Sequence, residues 1–178
     1  LGTNVNIPWP AEVEGVGDPE YLAAMRSIVV PILHAFKPGL LFVQAGFTAA
    51  VGDTLGMRVT PAGFGQMTNM LKAVAGGRII LALEGGSNAE SVVECVVSCT
   101  SVLSDESLPR LSDAAIAAVP LRSCSAMLQK VIDVQSKYYP SLERMRDLTG
   151  ISLRECSRLD DRDVHEAREV VSCMCMPT

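Results

Sequence analysis

Two short apolar runs, each followed by a glycine-containing loop and then by a helical segment, constrain the fold of this chain most strongly. The runs are residues 40–43 and 78–83, and their nearly continuous hydrophobicity is typical of strands covered on both faces. The loops at residues 45–50 and 83–88 connect them to segments with helical periodicity. A further short strand is predicted at residues 4–7, before Pro8. The order of strand, helix, strand, helix, strand and helix predicts an α/β fold with a mainly parallel sheet between helices.

Capping residues and prolines mark the boundaries of the predicted helices. Asp18 and Thr60 each precede a proline, which places an N-cap oxygen before a residue whose φ is already helical. Pro31 removes one backbone donor, so we expect it to kink the first helix. The glycine pair at residues 76–77 ends the second helix. The predicted helices cover residues 18–36, 60–74, 90–103, 123–139 and 154–171.

Composition limits the classes of function. With 178 residues and 48% hydrophobic content, the chain can bury one sizeable core. The net charge of −5 leaves no basic patch for phosphate groups, so we predict no direct contact with nucleic acid. The longest apolar run, near residues 28–33, is too short to span a bilayer, and no membrane partner is expected.

The cysteines lack the regular spacing of a disulfide framework. All six are therefore expected to be reduced, as in the cytosol or nucleus. Cys95 and Cys99 lie four residues apart on a predicted helix, which fits a core face better than a redox pair. Cys173 and Cys175 could bind a metal, but structural zinc normally takes four ligands, so two thiolates are a weak signal.

Both loops fall where a ligand site is expected in an open parallel sheet, beyond the carboxyl ends of the strands. Thr48 lies just past the first predicted strand and Ser87 just past the second, so both would open on the same edge. The alternative is that both loops are plain strand-to-helix turns, for which Gly46, Gly85 and Gly86 suffice. The residues alone leave both interpretations open. A dinucleotide fingerprint does not follow either strand.

Several blocks of sequence, in order and with matching spacing, resemble class II histone deacetylases, and residues 75–86 favour class IIa. The resemblance implies a three-layer arginase/deacetylase-like α/β fold, present as a partial domain. Residues 1–140 would be the C-terminal half of a histone deacetylase domain, and residues 141–178 a charged C-terminal extension, partly helical or disordered. The matching blocks are residues 4–6, 17–24, 45–47, 52–56 and 76–86, followed by residues 136–139.

The resemblance also implies roles for individual residues. The family removes acetyl groups from lysine with zinc, and Thr48 stands where it places an aspartate ligand. Ser87 stands where it places the histidine or tyrosine that stabilises the transition state. Leu55 matches the leucine that lines the acyl-lysine channel, although it could simply be a core leucine. Gly85 and Gly86 are the other expected substrate-binding residues.

The remaining metal-ligand types in the chain do not complete a zinc site. His34 lies on a predicted helix without ligand neighbours, and His165 lies in the charged tail, so both are expected to be surface residues. Asp53 is a nearby carboxylate, but the family does not use the matching residue as a ligand. We therefore expect weak zinc binding or none.

Three functional hypotheses follow from the resemblance. The first is an inactive or very weak deacetylase that represses transcription by binding partners. The expected partners are acetylated histones, other acetyl-lysine proteins and the proteins of corepressor complexes, and the expected location is the nucleus and cytoplasm. The second is a working amidohydrolase that this chain misreports, because the sequence is incomplete or because another residue compensates as a ligand. The third is a non-catalytic corepressor or scaffold module derived from the same fold. Because the chain begins with Leu1, we expect it to be a fragment of a longer protein.

Overall fold

The computed structural model describes residues 2–10 and 15–160, in which helices pack against a two-stranded sheet. Among these residues no helix is long and apolar enough to cross a membrane. In chain order the elements are α1 (Asp18–Ala24), a π-helical turn (Met25–Val29), α2 (Val30–Phe36), β1 (Leu41–Ala45), α3 (Pro61–Val74), β2 (Ile79–Leu83), α4 (Ala89–Leu103), α5 (Asp113–Ala117), α6 (Arg122–Gln135), a 3₁₀ segment (Pro140–Gly150) and α7 (Leu153–Asp160).

The two strands pair in parallel, as predicted. Leu41 aligns with Ile79 and Ala45 with Leu83, so the strands are in register over their full length. Helix α3 lies between them in the sequence, which makes β1, α3 and β2 a βαβ unit. The α/β class and the parallel sheet among helices are confirmed, in a partial domain. The strand predicted at residues 4–7 is wrong, because no strand in the described part of the chain pairs with these residues.

The helix start predicted at Thr60 is confirmed, and the cap predicted at Asp18 is wrong. Asp18 is the first residue of α1, Gly17 holds the N-cap position, and the Asp18 carboxylate accepts hydrogen bonds from Thr60 instead of capping its own helix. The side chain of Thr60 accepts a hydrogen bond from the amide of Gly63 at 3.0 Å and begins α3. Asn88 accepts from the amide of Ser91 at 3.1 Å and begins α4. Each cap satisfies an amide that has no partner inside its helix.

Pro31 disturbs the first helix by widening it. Its ring lacks an N–H and would crowd the carbonyl of Ser27, four residues earlier, in a regular α-helix. The preceding turn is π-helical, and the amide of Val30 donates to the carbonyl of Met25, five residues back. Arg26 and Ser27 lie in this turn and are buried.

The helices cover one face of the sheet. Ala45 and Leu81 on that face pack against a cluster of Phe47, Cys95 and Cys99, to which α3 and α4 contribute. On the opposite face Phe42 is 72% exposed and Ile80 is 45% exposed. The expectation of strands covered on both faces is therefore wrong for the described residues, because α3 and α4 both contribute to the cluster on the same face.

The described cysteines are buried and form no disulfide with one another, and the reduced state stays a prediction. Burial raises the pKa of the Cys95 thiol to about 12. Its partner in the same cluster, Cys99, accepts a hydrogen bond from Thr68 at 3.3 Å. Both thiols are therefore core groups, while Cys173 and Cys175 lie outside the described residues.

Residues 140–160 pack against the first helices. Arg26 donates to the carbonyl of Leu148 at 2.7 Å and also to that of Ile151. Leu142 and Thr149 are fully buried. The rest of the predicted helix at residues 154–171 lies outside the described residues, and the division at residue 140 stays a prediction.

Replacing Arg26 by methionine should destabilise the fold by roughly 2–3 kcal/mol, because it removes a buried charged donor and leaves two carbonyls without it. Urea unfolding followed by fluorescence of Trp9, which lies 5.3 Å from the ring of Tyr21, measures the change. The control is Arg154→Met at an exposed arginine, with an expected effect below about 0.5 kcal/mol. Equal effects of the two substitutions would contradict the assigned role of Arg26.

Candidate functional site

Two loops lie side by side where β1 and β2 end. The amide of Glu84 donates to the carbonyl of Ala45 at 3.0 Å, and the amide of Phe47 donates to the carbonyl of Gly85 at 3.0 Å. These bonds continue the parallel pairing beyond the last strand residues. The first loop (residues 46–56) and the second loop (residues 84–88) therefore share the carboxyl edge of the sheet, where ligands bind in open α/β proteins.

Glycine is required in the second loop by backbone conformation. Gly85 has φ of 120° and Gly86 has φ of 127°, values that favour glycine. A Cβ atom at Gly86 would overlap Cγ2 of Val92. One at Gly46 would lie 3.0 Å from the carbonyl oxygen of Glu84. Backbone conformation thus accounts for Gly85, close packing for Gly46, and both together for Gly86. The substrate-binding role of Gly85 and Gly86 stays a prediction.

The structure brings the two key predicted residues to adjacent loops with different exposure. Thr48 is half-buried, and its Cγ2 would lie 3.9 Å from a Cβ atom at Gly85. Ser87 is exposed. Leu55 is 63% exposed, so its interpretation as a core leucine is wrong and the channel-lining role stays a prediction.

Asp53 connects the two loops. One carboxylate oxygen, Oδ2, accepts from the amides of Ser87 at 2.6 Å and Asn88 at 2.9 Å. The other, Oδ1, accepts from the amide of Thr54 at 2.7 Å and from its hydroxyl at 3.1 Å. The hydrogen bonds from Asn88, Ser87 and Thr54 lower the pKa of Asp53.

Two further bonds support this connection. The side-chain amide of Asn88 donates to the carbonyl of Gly52 at 3.1 Å. The hydroxyl of Ser91 donates to the carbonyl of Val51 at 2.9 Å. Sequence reasoning missed these roles because donors and acceptors lie 34–40 positions apart, and the only local signal was the Asp53–Thr54 pair.

The described residues do not fit a zinc ion. Among them no group of three or more His, Cys, Asp and Glu residues could hold a metal. Thr48 offers a neutral hydroxyl, and both oxygens of Asp53 already accept hydrogen bonds. His34 is exposed at the end of α2, as predicted, and His165 lies outside the described residues. The donor set in this part of the chain is therefore insufficient for zinc, which normally takes several anionic or imidazole ligands.

The fold and the loop edge define an α/β protein with a strand-end site, and comparisons with known proteins identify its class. The family profile described as "Histone deacetylase domain" matches residues 1–103. The chain belongs to the histone deacetylase family, which confirms the resemblance to class II deacetylases and the partial domain.

Two curated relatives are similar in sequence to most of the chain. Histone deacetylase HDA1 of Saccharomyces cerevisiae is 40% identical over 155 residues, which cover 86% of this chain and 21% of the relative. Histone deacetylase 4 of Caenorhabditis elegans is 40% identical over 146 residues, covering 79% and 17%. The chain therefore spans about a fifth of the length of the curated relatives it matches.

Solved structures share the fold. The HDA15 HD domain matches with a TM-score of 0.71 at 35% identity, covering 82% of this chain and 38% of that domain. The histone deacetylase Clr3 matches with a TM-score of 0.73 at 34% identity, covering 80% and 23%. Both likenesses extend over most of the chain.

The lowered pKa of Asp53 predicts how pH affects the site. A carboxylate whose pKa is lower in the folded than in the unfolded state stabilises the fold. The stabilisation is fully present at pH values above the unfolded pKa of about 3.9, and it is lost as the pH falls through the pKa of the folded state. We expect Asp53→Asn to lower the Tm at neutral pH, and the difference from the wild type to shrink below about pH 4. The control is Asp113→Asn at an exposed carboxylate. Equal Tm values for Asp53→Asn and the wild type at neutral pH would rule out this contribution.

Proposed function

We propose that this chain is part of a histone deacetylase-like protein that is inactive or very weak as an enzyme and represses transcription by binding other proteins. The observation that carries the proposal is the chemistry at Thr48. A neutral hydroxyl occupies the position for which the family resemblance implies an anionic zinc ligand.

Amide hydrolysis in this family needs a metal-activated water and a polarised carbonyl. A carboxylate binds zinc at about 2.0–2.2 Å and supplies a full negative charge, which the Thr48 hydroxyl does not. Loss of even a group that only orients a ligand costs about 10–100-fold in metal affinity or activity. Loss of a direct ligand should cost at least as much.

Ser87 supports the same proposal independently. A donor aimed at the developing oxyanion is worth about 10²–10³ in rate. The hydroxyl of Ser87 belongs to a short side chain on an exposed loop, whereas histidine and tyrosine extend several atoms further. The two positions thus weaken separate steps, metal binding and carbonyl polarisation.

The partners follow from the family. Its members act on acetylated histones and other acetyl-lysine proteins, and we propose corepressor proteins as the remaining partners, in nucleus and cytoplasm. The net charge of −5 favours protein contacts over direct contact with nucleic acid. Because the chain covers about a fifth of its relatives, these assignments concern the whole protein that carries it.

A working zinc deacetylase is the second candidate, and one observation favours it. The second loop keeps Gly85 and Gly86, whose positive φ values favour glycine, and its connection to Asp53, although the residues at positions 48 and 87 differ from those that the family resemblance implies. The remaining ligands would then be supplied by a part of the protein outside residues 1–178. The scaffold module is a third possibility, and the exposed sheet face around Phe42 favours contact with further protein.

Zinc content and turnover of the full-length protein separate these candidates. We expect well below one zinc per chain and little turnover of acetyl-lysine or trifluoroacetyl-lysine peptides. Thr48→Asp combined with Ser87→His should raise both, since it restores a carboxylate and a longer donor. Thr48→Asn with Ser87→His is the matched control, because asparagine has the shape of aspartate without the charge.

Two outcomes of the same experiment would contradict the proposal. Stoichiometric zinc and rapid turnover in the wild type, both lost in Thr48→Val, would show that the threonine belongs to a working site and would overturn the proposal. No gain from Thr48→Asp would argue against the placement of the metal position at this residue.

A further inference from the structure

We propose that Asp53 is the positioning residue of this site: it holds the second loop on the first and fixes the backbone at position 87. Its relevance rests on the proposed function, because that function assigns position 87 to the donor of the deacetylase reaction. The contact itself stands on the geometry alone. Asp53 is 7% exposed and forms no part of the chemistry, since its oxygens are already occupied.

The two amides that converge on Asp53 belong to consecutive residues. The N–H groups of Ser87 and Asn88 both point to Oδ2, at 2.6 Å and 2.9 Å. One acceptor shared by neighbouring amides fixes the orientation of the peptide plane between them. The direction of the side chain at position 87 is therefore determined by Asp53 through the backbone.

The second loop has few other anchors. Gly85, Gly86 and Ser87 are all exposed, so burial does not hold them in place. Glycine also has the greatest conformational freedom of any residue, and two precede position 87. Apart from the bond between Phe47 and Gly85, the loop is fixed to the first loop through Asp53 and Asn88.

The charge of Asp53 suits this position. Its carboxylate lies against the amides immediately before α4 (Ala89–Leu103), where the helix dipole favours a negative charge. Asn88 caps the same helix through the amide of Ser91. Asp53 thereby ties the orientation of position 87 to the start of a long, well-packed helix.

Hydrogen exchange of individual amides, measured by NMR, tests the proposal without zinc or substrate. Asp53→Ala should accelerate exchange at Ser87 and Asn88 by about 10–100-fold, the range for hydrogen bonds to a charged acceptor, and leave α3 unchanged. Asp53→Asn, which keeps one acceptor oxygen, should restore most of the protection. Thr54→Val is the matched control, because it removes a bond to Oδ1 and leaves Oδ2 in place.

A folded Asp53→Ala protein with unchanged exchange at Ser87 and Asn88 would overturn the proposal, as would an equal increase throughout α3. If Asp53→Ala does not fold, amide exchange rates in the wild type test the proposal instead. The amide of Gly86 contacts no acceptor within the described part of the chain, so Ser87 and Asn88 should exchange about tenfold more slowly than Gly86 after correction for intrinsic rates. Equal rates would refute the role of Asp53. Zinc and turnover in the wild type would overturn the proposed function and leave this result standing.

Discussion

The parallel hydrogen bonding between β1 and β2 is the constraint on which the site depends. Pairing from Leu41 with Ile79 to Ala45 with Leu83 ends both strands at the same level. The next two backbone hydrogen bonds, from Glu84 to Ala45 and from Phe47 to Gly85, involve loop residues and continue the parallel bonding pattern of the strands. Two loops whose hydrogen-bonded residues lie 34 or more positions apart in the sequence therefore become neighbours, and the bonds that continue the pairing join backbone atoms alone.

The remainder of the fold is connected to this unit through buried polar groups. Asp18 on α1 accepts from the amide of Thr60 at 2.8 Å and from its hydroxyl at 2.7 Å, which joins the first helix to the start of α3. Burial raises the pKa of Asp18, while the bonds from Thr60 oppose that shift. Glu20 accepts from the amides of Gly17 and Leu121, and so joins α1 to α6. Such buried groups are costly when unpaired, so each fixes one relative placement of two elements.

Sequence signals near each element predicted most of the fold. The features that these signals missed depend on contacts between residues far apart in the sequence. The starts of α3 and α4 and the parallel strands follow from caps, glycines and apolar runs near the elements themselves. The widened turn before Pro31 was predicted only as a kink, because a proline does not specify how the helix adapts. The partners of Arg26 lie 122 and 125 positions away, and those of Asp53 lie 34 and 35 away. No periodicity in the sequence encodes such pairs.

Some residues of the two loops stabilise the fold, whereas others matter only for chemistry. This difference explains why the loops keep their architecture although the residues at positions 48 and 87 differ from those that the family resemblance implies. Gly85, Gly86 and Asp53 serve the folded state directly, so substitution there strains the backbone or removes the acceptor of the Ser87 and Asn88 amides. Ser87 contributes its backbone amide to the hydrogen bond with Asp53, and any residue except proline can do that. A side chain at position 48 or 87 that acts only on a metal or substrate adds little to the stability of its loop. Chemistry can therefore be lost at these two positions without loss of the architecture, and the geometry of the loops alone does not establish catalysis.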